Sequence, residues 1–220
     1  MSGDLLEAVE LAAVGEPELA VIWLHGLGAD GHDFEPIVPE LRLRRPVRFV
    51  FPHAPVRPVT INNGLEMRAW YDIVGFDAAR EDAAGIRASA AAVARLLDRE
   101  VERGVAPERI VLAGFSQGGA IALHLGLREP RPLAGVLALS TYLPLAASLK
   151  AEKAAANAAL PIFMAHGEYD PLIPLASADA SRKLLEREGY AVDWHVYPMP
   201  HSVCGPEIAA IAVWLEALGR

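Results

Sequence analysis

One serine lies in a sequence context that suits a nucleophile. Residues 114–118 read GFSQG, so Ser116 has one glycine two positions before it and another two positions after it. Strand-forming residues 109–113 precede the motif, and a helix-like stretch beginning at 119 follows it. A serine in a sharp strand-to-helix turn has a strained backbone, and small flanking residues let neighbouring elements approach it. The context predicts a nucleophile elbow rather than a turn that needs small residues only for packing.

A serine hydroxyl is a weak nucleophile and needs a base to take its proton, with an acid to orient that base. In hydrolases with such an elbow, the chain order is serine, acid, histidine. His201 follows the last predicted strand, and ligand chemistry collects in loops at the carboxyl ends of parallel strands, so His201 is the predicted base. The other histidines come too early in the chain or lie inside a strand: His25, His32, His53, His124, His166 and His195.

The acid that orients His201 must lie between Ser116 and His201 in the chain. Of the acids there, only Glu168 and Asp170 directly follow a buried strand. Pro171 biases Asp170 toward an extended backbone, which suits a carboxylate that holds an imidazole in place. Asp170 is therefore the predicted acid, with Glu168 as the alternative acid and helix capping as the alternative role of Asp170.

Attack on a carbonyl creates a tetrahedral oxyanion that needs two preplaced N–H donors. The residue after the nucleophile, Gln117, provides one such donor. Residues 22–28 read IWLHGLG and end a predicted strand in a glycine-rich turn, so the N–H of Leu27 is the predicted second donor. A simple tight turn is the alternative interpretation of this segment.

Short apolar runs alternate along the chain with longer amphipathic stretches, which predicts an α/β fold with a mostly parallel sheet and helices on both faces. We expect a single domain over residues 1–220 without a large lid domain. Strands are predicted at 5–11, 20–25, 48–51, 109–115, 135–140, 161–166 and 192–197. Helices are predicted at 34–43, 82–103, 117–128, 175–188 and 206–218, with a short surface helix in the alanine-rich segment 151–159.

The connection spanning residues 52–79 is unusually long for a compact domain, and such loops tend to be functional or disordered. It carries several large apolar residues that a disordered loop would waste: Met67, Trp70, Tyr71 and Phe76. We therefore expect the connection to be ordered and to cover part of the site. The alternative is a satellite hydrophobic cluster beneath a loop.

Composition excludes several classes of function. A net charge of −8 argues against a nucleic-acid or acidic-membrane surface. The one cysteine, Cys204, cannot form an internal disulfide. It is not the predicted nucleophile, because a serine occupies the elbow position. The first residues are acidic where a signal peptide needs a basic segment, and no apolar run reaches the roughly 20 residues of a membrane span. We expect a cytoplasmic protein without integral membrane association.

Five short blocks occur in the order seen in the phospholipase/carboxylesterase family. They are HGLGAD at 25–30, GFSQGG at 114–119, STYLPL at 140–145, HGEYD at 166–170 and PHS at 200–202. The chain resembles this family from about residue 20 onward, and FPHAP at 51–55 with WYD at 70–72 is most similar to the bacterial carboxylesterase branch. The resemblance implies an α/β-hydrolase fold, a triad of Ser116, Asp170 and His201, an oxyanion hole at Leu27 and Gln117, and a possible homodimer. Pro200 departs from the usual flexible residue before the histidine and would stiffen that loop.

The predicted reaction is a two-step acyl transfer through an acyl-enzyme on Ser116, with neither a metal nor an organic cofactor. Five residues are predicted to line an apolar acyl pocket, with ordinary core packing as the alternative for each: Met67, Trp70, Leu143, Leu145 and Ile173. The sequence favours esters with a small to medium apolar acyl group. The alternatives are long-chain acyl-protein thioester or lysophospholipid hydrolysis, transfer of the acyl group to another acceptor, and a catalytically silent binding module.

Overall fold

The computed structural model describes residues 5–75 and 81–219. Its strands are β1 (Ala8–Leu11), β2 (Leu19–Leu24), β3 (Val47–Pro52), β4 (Val56–Val59), β5 (Leu65–Arg68), β6 (Ile110–Phe115), β7 (Gly135–Leu139), β8 (Ile162–Gly167) and β9 (Val192–Tyr197). Seven of them form one sheet in the order β1-β3-β2-β6-β7-β8-β9. Only β1 runs antiparallel to its neighbour, β3; all other pairs in this sheet are parallel. The predicted mostly parallel sheet is confirmed.

The inner strands are apolar on both faces because both faces are covered. Alternate residues of β2 belong to different cores: Ile22 and Leu24 lie in one, whereas Val21 and Trp23 lie in the other. All four side chains are at most 1% exposed. Burial of such side chains contributes about 1.5–3 kcal/mol each before the entropic cost of folding, so the sheet is a rigid platform for the loops at its ends.

The helices are α1 (Val38–Leu41), α2 (Ala83–Glu102), α3 (Gln117–Gly126), α4 (Leu149–Glu152), α5 (Leu175–Arg187) and α6 (Gly205–Ala217). Side chains of α2, α3 and α5 pack into the core that contains Ile22 and Leu24. Side chains of α1 and α6 pack into the opposite core. Helices therefore cover both faces of the sheet, as predicted.

Two predicted helices are shorter than their sequence patterns indicate. In place of a helix over 34–43, a 3₁₀ turn at Glu35–Ile37 leads into the four residues of α1. Pro36 and Pro39 have no N–H to donate, and Arg42 ends the helix in the left-handed conformation with a φ of 47°. The segment 151–159 is likewise divided between the end of α4 and a 3₁₀ turn at Ala155–Asn157.

The connection 52–79 is ordered where it is described, although Phe76 lies outside the described residues. Its unpredicted feature is the antiparallel hairpin of β4 and β5. The Asp72 carboxylate accepts hydrogen bonds from the N–H and the hydroxyl of Thr60, at 2.7 and 2.6 Å. Asp82 both caps α2 at the Gly85 N–H and accepts the N–H of Asp72 at 3.0 Å. Side-chain carboxylates thus tie residue 72 to the end of β4 on one side and to the start of α2 on the other.

No helix within residues 5–75 and 81–219 is both long enough and apolar enough to cross a membrane.

The functional candidates lie at one edge of the sheet. Ser116 follows β6, Leu27 follows β2, Asp170 follows β8 and His201 follows β9. These four strands are parallel, so their carboxyl ends share that edge.

Candidate active site

Ser116 occupies a sharp turn between β6 and α3. Its backbone has φ 54° and ψ −120°, a conformation that residues with a side chain rarely adopt. The turn is held from β7, because the Ser116 N–H donates to the Leu139 carbonyl at 2.8 Å and the Thr141 hydroxyl donates to the Ser116 carbonyl at 2.7 Å. A Cβ on Gly114 would overlap the backbone of Gly118, so the chain can reverse here only with glycine. The strain expected of a nucleophile elbow is present.

The start of α3 packs directly against the end of β2. A Cβ on Gly118 would overlap the carbonyl of Leu24 and lie 2.6 Å from that of His25. On the other side of this contact, a Cβ on Gly26 would lie 3.6 Å from the Cβ of Ser116. The glycine-rich turn after β2 therefore adjoins the serine, which is the arrangement that a two-donor oxyanion hole requires.

Asp170 and His201 form a hydrogen bond. Oδ2 of Asp170 lies 2.6 Å from Nδ1 of His201, while Oδ1 accepts the N–H groups of Leu172 and Ile173 at 2.8 and 2.9 Å. Burial by itself raises the pKa of the Asp170 carboxyl, but these hydrogen bonds outweigh it and hold the pKa below its ordinary value. The alternative acid, Glu168, is exposed. The carboxylate beside His201 is thus ionised and fixed at both oxygens.

The loop that carries His201 turns back over the end of β8. A Cβ on Gly167 would overlap the carbonyls of Met199 and Pro200, so the two backbones touch. Pro200 is exposed, and the hydrogen bond between His201 and Asp170 forms with the proline in place. The His201 ring packs on Phe115 with 4.7 Å between ring centroids. Because Phe115 precedes the nucleophile candidate directly, this contact brings the imidazole beside the elbow.

The turn that contains Leu27 is supported by a buried histidine. Nδ1 of His25 lies 2.7 Å from the Gly26 carbonyl, and Nε2 accepts the Ala54 N–H at 3.0 Å. Since Nε2 is an acceptor, the proton is on Nδ1 and the ring is neutral; burial lowers the pKa of His25 to about 4. The indole N–H of Trp70 donates to the His25 carbonyl at 2.9 Å. His25 was not predicted to have this supporting role, for which its position directly before Gly26 is the signal in the sequence.

Gln117 contributes more than a backbone N–H. Its side chain is 2% exposed and joins the elbow to the long connection. Oε1 accepts the N–H of Trp70 at 2.7 Å, and Nε2 donates to the carbonyl of Tyr71 at 2.7 Å. A carboxylate could accept the first of these bonds but could not donate the second. This role of the Gln117 side chain was not predicted, because it depends on the path of a loop that has no sequence periodicity.

The five predicted acyl-pocket residues divide into two groups. Met67 is half-buried beside the turn after β2, with its sulfur 3.8 Å from where a Cβ on Gly28 would lie, and Leu145 is also partly exposed. The other three are buried: Trp70 at 0%, Leu143 at 4% and Ile173 at 7% exposure. The prediction that Trp70 lines the pocket is wrong, because its side chain has no exposed surface. Trp70 instead supports the turn after β2 through its hydrogen bond to the His25 carbonyl.

Glu207 anchors the loop that carries His201 from the start of α6. Its carboxylate is fully buried and accepts the N–H of Cys204 at 3.3 Å, while its other oxygen has no partner among the described residues. Burial raises the pKa of Glu207 to about 7, from an ordinary value of 4.5. Cys204 is half-buried and acts here as the N-cap of the helix.

Comparison with known proteins gives the chain a family. The sequence profile described as Phospholipase/Carboxylesterase matches residues 8–218. Acyl-protein thioesterase 1 of Neurospora crassa is 42% identical over 92% of this chain and 88% of its own length. Acyl-protein thioesterase 1 of Gibberella zeae is 37% identical over 98% of this chain and 97% of its own. These relatives are named thioesterases, whereas the sequence blocks had favoured the carboxylesterase branch.

Solved structures match the fold over almost the whole chain. The crystal structure of Arabidopsis thaliana SOBER1 has a TM-score of 0.85 at 30% identity and covers 90% of this chain and 97% of its own. Acyl-protein thioesterase 2 of Zea mays has a TM-score of 0.84 at 27% identity, covering 96% of this chain and 98% of its own. The α/β-hydrolase fold is thus shared with these proteins.

The close contact at Gly118 predicts that no larger side chain fits at this position. Replacing Gly118 with alanine should lower the free energy of unfolding by about 1–3 kcal/mol, because the methyl group must displace backbone atoms of β2. Gly205→Ala is the control, since a Cβ there meets no atom within 4 Å. Urea denaturation of both variants measures the difference, and equal stabilities would contradict the contact.

The hydrogen bond between Asp170 and His201 predicts a large loss of hydrolytic rate when Asp170 is replaced by asparagine. Asp170→Asn keeps an oxygen for the N–H groups of Leu172 and Ile173 but favours the wrong imidazole tautomer, so kcat should fall about 10⁴-fold with the fold intact. Glu168→Gln should stay within a few-fold of the parent protein. Steady-state hydrolysis of a chromogenic ester tests both, and a larger loss in Glu168→Gln would make Glu168 the acid.

The buried Glu207 carboxyl predicts a pH-dependent stability. Its pKa is higher in the folded protein, so the folded state binds the extra proton between pH 4.5 and about 7 and loses stability as pH rises through that window. Glu207→Gln removes this titration. Between pH 5 and pH 8, the parent should therefore lose roughly 1–3 kcal/mol more of its free energy of unfolding than the variant does, at about 1.4 kcal/mol per pKa unit. Parallel denaturation profiles of the two proteins across this range would be the contrary result.

Proposed function

The chain belongs to the phospholipase/carboxylesterase family, and we propose that within it the protein is an acyl-protein thioesterase, a serine hydrolase that removes long-chain acyl groups from protein thiols. The observation that carries serine hydrolysis is the hydrogen bond of 2.6 Å between Asp170 and His201 beside the strained turn of Ser116. Support for the thioester comes from relatives that are 37–42% identical and bear that name.

The proposed reaction begins at the elbow. His201 takes the proton of the Ser116 hydroxyl while the oxygen attacks the thioester carbonyl, and Asp170 stabilises the imidazolium that forms. The N–H groups of Leu27 and Gln117 would bind the oxyanion. The carbon–sulfur bond then breaks, and the proton held on His201 passes to the leaving sulfur.

The second half of the reaction releases the acid. Water replaces the departed thiol next to His201, which takes a proton from it as the oxygen attacks the acyl-enzyme carbonyl. The same two N–H groups bind the second oxyanion, and Ser116 recovers its proton from the imidazolium. This scheme draws only on side chains and backbone groups of the chain itself.

Apolar surface around the site supports a long acyl group. Met67 and Leu145 offer partly exposed side chains next to the oxyanion turn and after β7. Leu65, which shares a face of the β4–β5 hairpin with Met67, is 63% exposed, and Leu172, two residues after Asp170, is 56% exposed. A long chain can cover such side chains, whereas a small acyl group would leave them in water.

Hydrolysis of small carboxylic esters is the competing function, since the same triad would serve both. An acyl-chain series of paired esters and thioesters, from butanoyl to hexadecanoyl, separates them. We expect kcat/KM to rise toward the long chains and to be higher for each thioester than for its ester. A maximum at the shortest ester would replace the thioesterase assignment with that of a small-ester hydrolase.

Ser116→Ala is the matched control for the series. It should lower kcat by about 10⁶-fold on every substrate while leaving the thermal unfolding curve unchanged. Labelling of the parent protein by a fluorophosphonate, lost in the variant, would separate a working hydrolase from a silent binding module. Retention of most activity in Ser116→Ala would overturn the serine mechanism itself.

A further inference from the structure

A cleft adjoins His201 and contains none of the predicted acyl-pocket residues. Its volume is about 470 Å³, and it lies between the segment before and within α1 and the loop that leads into α6. Its lining includes Asp33, Phe34, Ile37, Glu40, His201 and Val203. The base of the proposed reaction is therefore shared between the elbow and this cleft.

The walls of the cleft are mostly apolar. Phe34 and Ile37 are each 7% exposed and belong to the core beneath it. Phe34 packs on Phe115 with 5.5 Å between ring centroids, and Phe115 in turn packs on His201. A preformed apolar cleft that runs from the base to the surface suits part of a substrate.

The chemistry of the general base indicates which part of the substrate would occupy the cleft. A general acid must come within hydrogen-bond reach of the atom it protonates, so the leaving sulfur lies against the His201 ring. The group bonded to that sulfur continues past the ring, on the side away from the carbonyl carbon and its acyl chain. A cleft that His201 lines can therefore receive the leaving group.

The lip of the cleft is negatively charged. Residues 30–40 contain four carboxylates and neither lysine nor arginine. Glu35 lies 2.8 Å from His32, but Asp33 and Glu40 form no ion pair with any of the residues at 5–75 and 81–219. Partial desolvation raises the pKa of Asp33, and repulsion by the charge of Asp30 adds to the shift. A positive group at this lip would relieve that repulsion.

We propose that this cleft binds the leaving group of the substrate, and that Asp33 and Glu40 select a peptide with lysine or arginine next to the acylated cysteine. The proposal rests on the thioesterase function argued above and adds a specificity to it. Apolar atoms of the peptide would lie on Phe34, Ile37 and Val203, with a cationic side chain at the two carboxylates.

The test compares two decanoyl thioesters of one short cysteine peptide, flanked either by lysines or by glutamines. The parent protein should have a kcat/KM about threefold to tenfold higher for the lysine peptide at low ionic strength, as expected for partly screened charge pairs. In Asp33→Asn/Glu40→Gln this preference should fall to about one. Glu16→Gln/Glu108→Gln is the matched control, because both residues are exposed, lie at the opposite edge of the sheet and change the net charge equally.

A second measurement separates leaving-group binding from an effect on the base. Both peptides give the same acyl-enzyme, so its single-turnover hydrolysis should proceed at one rate in all three proteins. Slower deacylation in Asp33→Asn/Glu40→Gln would show that the carboxylates act through His201 and would overturn the proposal. Equal kcat/KM for the two peptides in the parent protein would overturn the proposal while leaving the thioesterase function standing. Failure to cleave either peptide would overturn both.

Discussion

The site depends on the direct contact between the start of α3 and the end of β2. This contact exists because Gly118 has no side chain to separate the helix from the Leu24 and His25 carbonyls. It sets the distance between the nucleophile turn and the turn after β2, and therefore the separation of the two proposed oxyanion donors. Backbone placed by packing needs no rearrangement when charge develops, which is the main source of electrostatic catalysis in such sites.

The supports of the elbow and of the turn after β2 extend outward from that contact. His25 fixes the turn after β2 with one ring nitrogen and fixes Ala54 with the other, while Gln117 ties the elbow to the backbone of Trp70 and Tyr71. Each of these polar groups is buried and satisfied, so removing one would leave another unpaired at a cost of about 1–3 kcal/mol. The long connection is consequently part of the site's support, although its sequence resembles a loop.

How much the sequence predicts depends on whether a feature is local. Strands such as β2 and β6 can be predicted because they are continuous apolar runs. Ser116, Asp170 and His201 can be predicted because each lies in a loop or turn directly after a predicted strand. The hairpin of β4 and β5 could not be predicted, since proline and asparagine mark its turns without giving its register. The burial of Trp70 depends on a hydrogen bond to His25, 45 residues earlier in the chain. Likewise, Pro36 and Pro39 shorten a helix that apolar spacing alone favours.

Burial also explains why three histidines at one edge of the sheet have different roles. His25 and His166 are at most 2% exposed, and burial lowers the pKa of each, so neither can take up a proton without a large desolvation penalty. Each instead holds a backbone carbonyl, Gly26 or Ile173. A general base must become cationic during the reaction and must be reached by substrate. The side chain of His201 is 12% exposed and 2.6 Å from an ionised carboxylate, so it meets both conditions, whereas the two buried histidines meet neither.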